Sequence, residues 1–175
     1  MRSACPSALA ETFVLTFMTA RVATRAAKGV DVLELGEVDY GSNLYREVVA
    51  LRRHILRTPL GLDFTAEQLW AERADFHIAA YLDGELVGCV VLTPVDESTV
   101  KLRQMAVRSD HQGRGLGARI VAFAERLAAQ RGCREIVLNA RETAVPFYKR
   151  AGYAVTGEVF TEVTIPHLRM FKRLD

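Results

Sequence analysis

HQGRGLGARI, His111 to Ile120, sets three glycines and two arginines at the head of an apolar, periodic segment, and how it is read decides the fold. Without a Cβ, Gly113, Gly115 and Gly117 let the chain turn tightly and bring main-chain N–H groups close to an anion. A helix leaves its first N–H groups unpaired and carries partial positive charge at that end, so the segment suits a phosphate. Arg114 adds to that field. Leu116, Ile120, Phe123, Ala124 and Leu127 recur at helical spacing and predict a packed helix, with Gly132 as its stop.

Two nucleotide motifs compete for the same glycines. A Walker-type loop ends in Gly-Lys followed by Ser or Thr, whereas Gly117 is followed by Ala118 and Arg119. A dinucleotide fingerprint is formally met by Gly113, Gly115 and Ala118, but Arg108 to Gln112 separate it from the strand ending at Val107. The next strand also ends near Asn139, where that fingerprint needs an acidic residue.

Outward from the loop, Val100 to Val107 predict the preceding strand. Phe76–Leu82 and Leu86–Leu92 flank Asp83-Gly84 and predict a hairpin. Val30 to Gly36 alternate as an opening strand. Leu44, Val48, Leu51 and Ile55 predict a helix over Asn43–Arg57, capped by Ser42 or Asn43 and closed by Pro59. Thr65 to Glu72 predict a shorter helix, with Gln68 completing a capping box. Beyond Gly132 come a strand at Glu135–Asn139, a helix at Thr143–Arg150, and strands at Tyr153–Phe160 and His167–Leu174. This order predicts an α+β domain with a largely antiparallel sheet.

Gln112, Gly115 and Gly117 form Q-x-x-G-x-G after an apolar strand and a polar turn, and this resembles the signature of the GNAT superfamily of N-acetyltransferases. LRQMAV, Leu102–Val107, resembles the family strand that holds the pantetheine arm, and AVPFYKRAGY, Ala144–Tyr153, its Phe-Tyr helix ending in Gly-Tyr. The similarity covers nearly everything from Val30 to Asp175. It implies a three-layer fold with a central mixed, mostly antiparallel sheet flanked by helices. It also implies a direct acetyl transfer from acetyl-CoA to a primary amine of a small molecule or peptide, without a covalent enzyme intermediate or a metal. A non-catalytic acyl-CoA binding or sensing module is the alternative.

The resemblance assigns the pyrophosphate to Gln112, Gly113, Arg114, Gly115, Leu116, Gly117 and Ala118, and the pantetheine arm to Met105, Ala106 and Val107 through their backbone. Asn139 either hydrogen-bonds the same arm or caps the following helix. Tyr148 is the general-acid candidate beside the thioester sulfur, or else a packed tyrosine; Phe147 and Tyr153 are read as core. The family's glutamate on the strand before the loop has no counterpart, because that strand offers Lys101, Arg103 and Gln104. VFTEVTIPHLRM, Val159–Met170, supplies Glu162 and His167 instead and resembles the ElaA/YjcF-like subgroup, although Arg141 stands where that subgroup often has glutamine. Glu162 and His167 are candidates to deprotonate or orient the amine; for His167 a structural hydrogen bond beside Pro166 is the rival. Arg52, Arg53, His54 and Arg57 form either a basic acceptor edge or a solvated face.

The chain of 175 residues suits one domain, with half its residues hydrophobic. A net charge of +2 with interspersed signs argues against a nucleic-acid partner. Cys5, Cys89 and Cys133 lack C-x-x-C spacing and read as reduced thiols of a cytoplasmic protein. Residues 1–29 hold one acidic residue, Glu11, and are expected to be an extension, an upstream start or a loosely docked helix. The run FVLTFM is too short to span a membrane. Residues 30–175 are expected to form the catalytic domain, as a monomer or homodimer.

Overall fold

The computed structural model describes residues 20–25 and 30–174. Strands β1 (Ala20–Arg25) and β2 (Val30–Val38) lead into helix α1 (Asn43–Arg52). A π-helical turn, Arg53–Arg57, and a tight turn through Pro59 follow, then helix α2 (Ala66–Ala71). Next come β3 (Phe76–Leu82), β4 (Glu85–Pro94) and β5 (Thr99–Val107), helix α3 (Leu116–Gln130), β6 (Glu135–Arg141), helix α4 (Val145–Arg150), β7 (Ala154–Glu162) and β8 (Ile165–Arg173). Among the described residues they build one eight-stranded sheet in the order β1-β2-β3-β4-β5-β6-β8-β7. Every neighbouring pair is antiparallel except β5 and β6, which α3 connects as a parallel pair.

Local chemistry accounts for the boundaries. Asp83 and Gly84 take φ of 51° and 83°, the left-handed pair that a two-residue hairpin turn requires. Ser42, rather than Asn43, caps α1, its Oγ accepting from Tyr45 N at 3.0 Å. Thr65 and Gln68 close the capping box of α2 in both directions, at 3.2 and 3.1 Å.

The central strands β3 and β4 are buried on both faces, so α1 and α3 enclose separate cores. Ile78, Ala80, Val90 and Leu102 pack toward α3, where Ile120 and Ala124 are fully covered. Ala79, Cys89 and Ala106 point the other way, against Tyr45, Val48 and Val49 of α1. Each large aliphatic side chain sealed in this way contributes about 1.5–3 kcal/mol.

Two sequence expectations change. Helix α1 was expected to run regularly to Arg57, but it passes into π geometry at Arg53, and its buried face is Tyr45, Val48, Val49 and Arg52. Leu44, expected on the apolar stripe, is 37% exposed. The sheet also reaches into the expected extension, since β1 pairs with β2 from Ala20↔Leu35 to Arg25↔Val30. Cys5, Glu11 and the FVLTFM run lie outside the described residues.

Candidate active site

The centre of the sheet opens where β5 and β6 part. Their parallel pairing runs from Thr99↔Glu135 to Leu102↔Leu138 and stops there. Between Cys89 and Val91 the register with β4 shifts by one residue, because β5 places two residues, Gln104 and Met105, opposite Val90. Gln104 adopts φ of 52°, a left-handed conformation that costs a non-glycine residue of order 1–3 kcal/mol. Such a bulge bends its strand and ends regular pairing. On the side of β6, main-chain groups of β5 beyond Leu102 therefore border an opening instead of a ladder, while Ala106 and Val107 stay paired with β4 on the other side.

A buried polar network holds the bulge. Gln104 Nε2 donates to Glu72 Oε1 at 2.7 Å, and Arg52 Nη1 donates to Gln104 Oε1 at 2.6 Å. Arg52 also pairs with Glu72 Oε2 at 2.8 Å, the two side chains being 0% and 1% exposed. Arg103 reaches Glu72 Oε1 at 3.1 Å and Asp75 at 3.6 Å. Burial pushes the Glu72 carboxyl up, but the hydrogen bonds and charge of Arg52, with Gln104 and Arg103, outweigh it and leave its pKa lowered. Arg52 is thus neither an acceptor edge nor a solvated residue, and Arg53 is held by Asp63 at 2.5 Å.

His77 closes the network from β3. Its Nε2 lies 3.0 Å from the Glu72 carbonyl and must donate to it, which leaves Nδ1 unprotonated, buried and without a hydrogen-bond partner among the described residues. Burial lowers its pKa below the ordinary 6.5. The unfolded chain therefore takes up this proton first, and stability present above about pH 6.5 is lost on acidification toward the folded value. Glu72 acts in the same direction below its ordinary 4.5, while Asp75, raised by burial, opposes it near 3.8. The thermal midpoint is expected to fall between pH 7 and about pH 5, and His77→Gln to flatten that slope. A wild-type midpoint independent of pH over this interval would contradict a buried neutral His77.

On the α3 side lies a cleft of about 570 Å³, lined by the glycine loop, Met105, Val107 and Tyr148. Gly113 and Gly115 have φ of 74° and 76°, and Gly115 caps α3 with no side chain over its end. A Cβ on Gly117 would stand 3.2 Å from Met105 Cε and 3.3 Å from Phe147, so this glycine keeps the first turn close against β5 and α4. Gln112 Nε2 donates to Val107 O at 2.9 Å and ties the loop to the strand end. Leu116 is buried beneath, Ala118 lines the cleft, and Arg114 is exposed outside it. Free N–H groups, left-handed glycines and an open channel fit a pyrophosphate with an extended arm.

A second cleft of about 420 Å³ opens on the α1 side. It shares Met105, Val107 and Tyr148 with the first and adds Ala106, Asn139, Glu162 and His167. Tyr148 is 8% exposed, its ring edge-on to Phe147 and Tyr153. Burial pushes its phenol up to about 12. Asn139 lies within β6 and caps no helix; its Nδ2 donates to Glu162 Oε2 at 2.6 Å. His167 Nδ1 lies 2.8 Å from Ile165 O and donates to it, leaving Nε2 with its lone pair. Val163 and Thr164 turn the chain between β7 and β8 with φ of 50° and 62°, a strained pair for β-branched residues. The Cys89 thiol is sealed and pushed up to about 12 by burial, so it stays protonated.

The bulge and its network were not legible in advance. The one signal was the pair Gln104 and Glu72 on segments otherwise read as strand and helix.

A mixed sheet opened at one parallel pair, with a glycine loop at a helix start on one face and Glu162, His167 and Tyr148 around a cleft on the other, is an arrangement suited to coenzyme-dependent group transfer. Residues 44–153 match the acetyltransferase (GNAT) family, and the chain belongs to it. N-acetyltransferase YjcF of Bacillus subtilis (strain 168), itself uncharacterised, is 37% identical over 102 residues, 58% of this chain and 72% of that one. Escherichia coli ElaA shares the fold with a TM-score of 0.68 at 18% identity, over 80% of this chain and 99% of ElaA. An aminoglycoside 6'-N-acetyltransferase solved with coenzyme A gives 0.68 at 21%, over 81% and 97%. The protein is an acetyl-CoA-dependent N-acetyltransferase. Among the described residues no helix is long and apolar enough to cross a membrane.

Proposed function

We propose that acetyl-CoA enters along the α3 cleft, its pyrophosphate held by the N–H groups of Gly113 to Ala118, with Gln112 tying that loop to the strand end through its side chain, and its arm by the main chain of Met105, Ala106 and Val107. The primary amine of a small molecule or peptide enters from the α1 cleft. What supports this arrangement is the wall that the two clefts share, formed by Met105, Val107, Gln112, Ala144 and Tyr148. The thioester supplies an activated carbonyl carbon, to which the amine nitrogen bonds as the carbon–sulfur bond breaks. His167 Nε2 accepts the proton that an ammonium, with a pKa of about 10, must lose before attack. Glu162, fixed by Asn139, orients that ammonium. Tyr148 gives its proton to the departing sulfur and recovers the second proton, which the acylated nitrogen sheds, so amide and free thiol are the products and one proton remains to be released from His167.

Calorimetric titration with acetyl-CoA tests the donor half. Gly115→Val forces a β-branched residue into a left-handed backbone and should weaken binding at least about tenfold. Unchanged affinity would remove the glycine loop from the donor site.

A further inference from the structure

The α1-side cleft carries a charge pattern that goes beyond amine acetylation. Arg57, Lys101, Arg103 and Arg141 line it, against one carboxylate, Glu162. Arg103 is neutralised by Glu72 and Asp75. Arg57 stacks on the Phe64 ring at 4.8 Å, and among the described residues neither it, Lys101 nor Arg141 has an acidic partner. All three are half-buried in the cleft wall, where water screens a charge less than it does on an open surface.

Their spacing follows from the strand register. Lys101 is paired with Val137, and Asn139, which holds Glu162, stands midway between Val137 and Arg141. At about 3.3 Å per residue, each cation level lies roughly 7 Å along β6 from the carboxylate that receives the ammonium. Arg57, at the end of the π-helical turn that follows α1, lines the same cleft. An amine with a negative group a few bonds away meets a countercharge at both ends. A polycation meets repulsion.

We propose that the acceptor is a small zwitterionic amine whose anionic group, a phosphate or carboxylate, is held by Lys101, Arg141 and Arg57; this rests on the acetyl-transfer arrangement above. Phosphate is the stronger match for arginine, whose fork can bond two of its oxygens.

Matched pairs test it: glucosamine 6-phosphate against glucosamine, and O-phosphoethanolamine against ethanolamine, with kanamycin as the polycation, each titrated into protein saturated with coenzyme A. At least one phosphate-bearing amine should bind about tenfold or more tighter than its neutral partner, a difference near 1.4 kcal/mol. Lys101→Gln and Arg141→Gln should each erode that preference, and added salt should reduce it in the wild type, a readout that needs no variant. Equal affinity within both pairs, tighter binding of kanamycin, or no binding of either phosphate-bearing amine up to about 10 mM, past the usual range of KM values, overturns the proposal. So does a loss in the variants confined to coenzyme A affinity, which would assign the cations to the donor. Retained coenzyme A binding with no discrimination defeats the acceptor assignment alone; failure of coenzyme A itself to bind defeats the donor site beneath it.

Discussion

Tyr148→Phe is expected to lower turnover by about 10²–10⁴-fold, the usual contribution of a positioned acid, while acetyl-CoA affinity changes by less than about threefold. The phenylalanine keeps the ring contacts with Phe147 and Tyr153 and removes only the hydroxyl on the cleft. A phenol near 12 is at first sight too weak an acid for a thiolate whose ordinary pKa is about 8.5. Burial acts on both groups in the same direction, as it does on the sealed Cys89 thiol of this fold. A thiolate departing into the same water-poor cleft is disfavoured by the same desolvation, which narrows the gap between donor and acceptor. Steady-state kinetics separate the roles. Unchanged turnover would remove the acid, and an equal loss of affinity and turnover would make Tyr148 a packing residue.

Glu72→Ala carries the largest expected cost in stability, about 3–5 kcal/mol, because it leaves the fully buried Arg52 without its countercharge. It also removes the carboxylate that accepts from Gln104 and holds it in its left-handed conformation. Denaturant unfolding measures the first effect. A loss below about 1 kcal/mol would mean that water or another acceptor replaces the carboxylate. Glu72→Gln keeps the volume and one acceptor oxygen, so it should fold better than the alanine variant and still bind acetyl-CoA more weakly than the wild type.

Residues with a local rule behind them were legible in the sequence. Asp83-Gly84 specifies its turn by backbone conformation, Thr65 and Gln68 specify a helix start by reciprocal hydrogen bonds, and Gly113 and Gly115 take the positive φ that their motif suggests. Glu162, His167 and Tyr148, separated in the chain, do border one cleft. What escaped depends on tertiary context. Arg52 occupies a core position at helical spacing with Tyr45, Val48 and Val49, but a charged residue reads as surface until its partner is known. That partner, Glu72, lies beyond a π-helical turn and a second helix, so neither pattern nor propensity connects them. The bulge at Gln104 is invisible for the same reason, since its left-handed conformation is maintained by side chains from two other segments. Strand β1 lies in a stretch whose composition suggested an extension, and its pairing with β2 follows from no local motif.

Release of free thiol from acetyl-CoA, followed with and without a panel of primary amines that includes phosphate-bearing ones, tests the transfer most directly. The two clefts that share Tyr148 in their walls predict release that depends on an amine, saturates with it, and yields one acetylated amine per thiol. Tight binding of acetyl-CoA with no amine-stimulated release from any member of the panel would contradict catalysis and leave a coenzyme-binding module in its place.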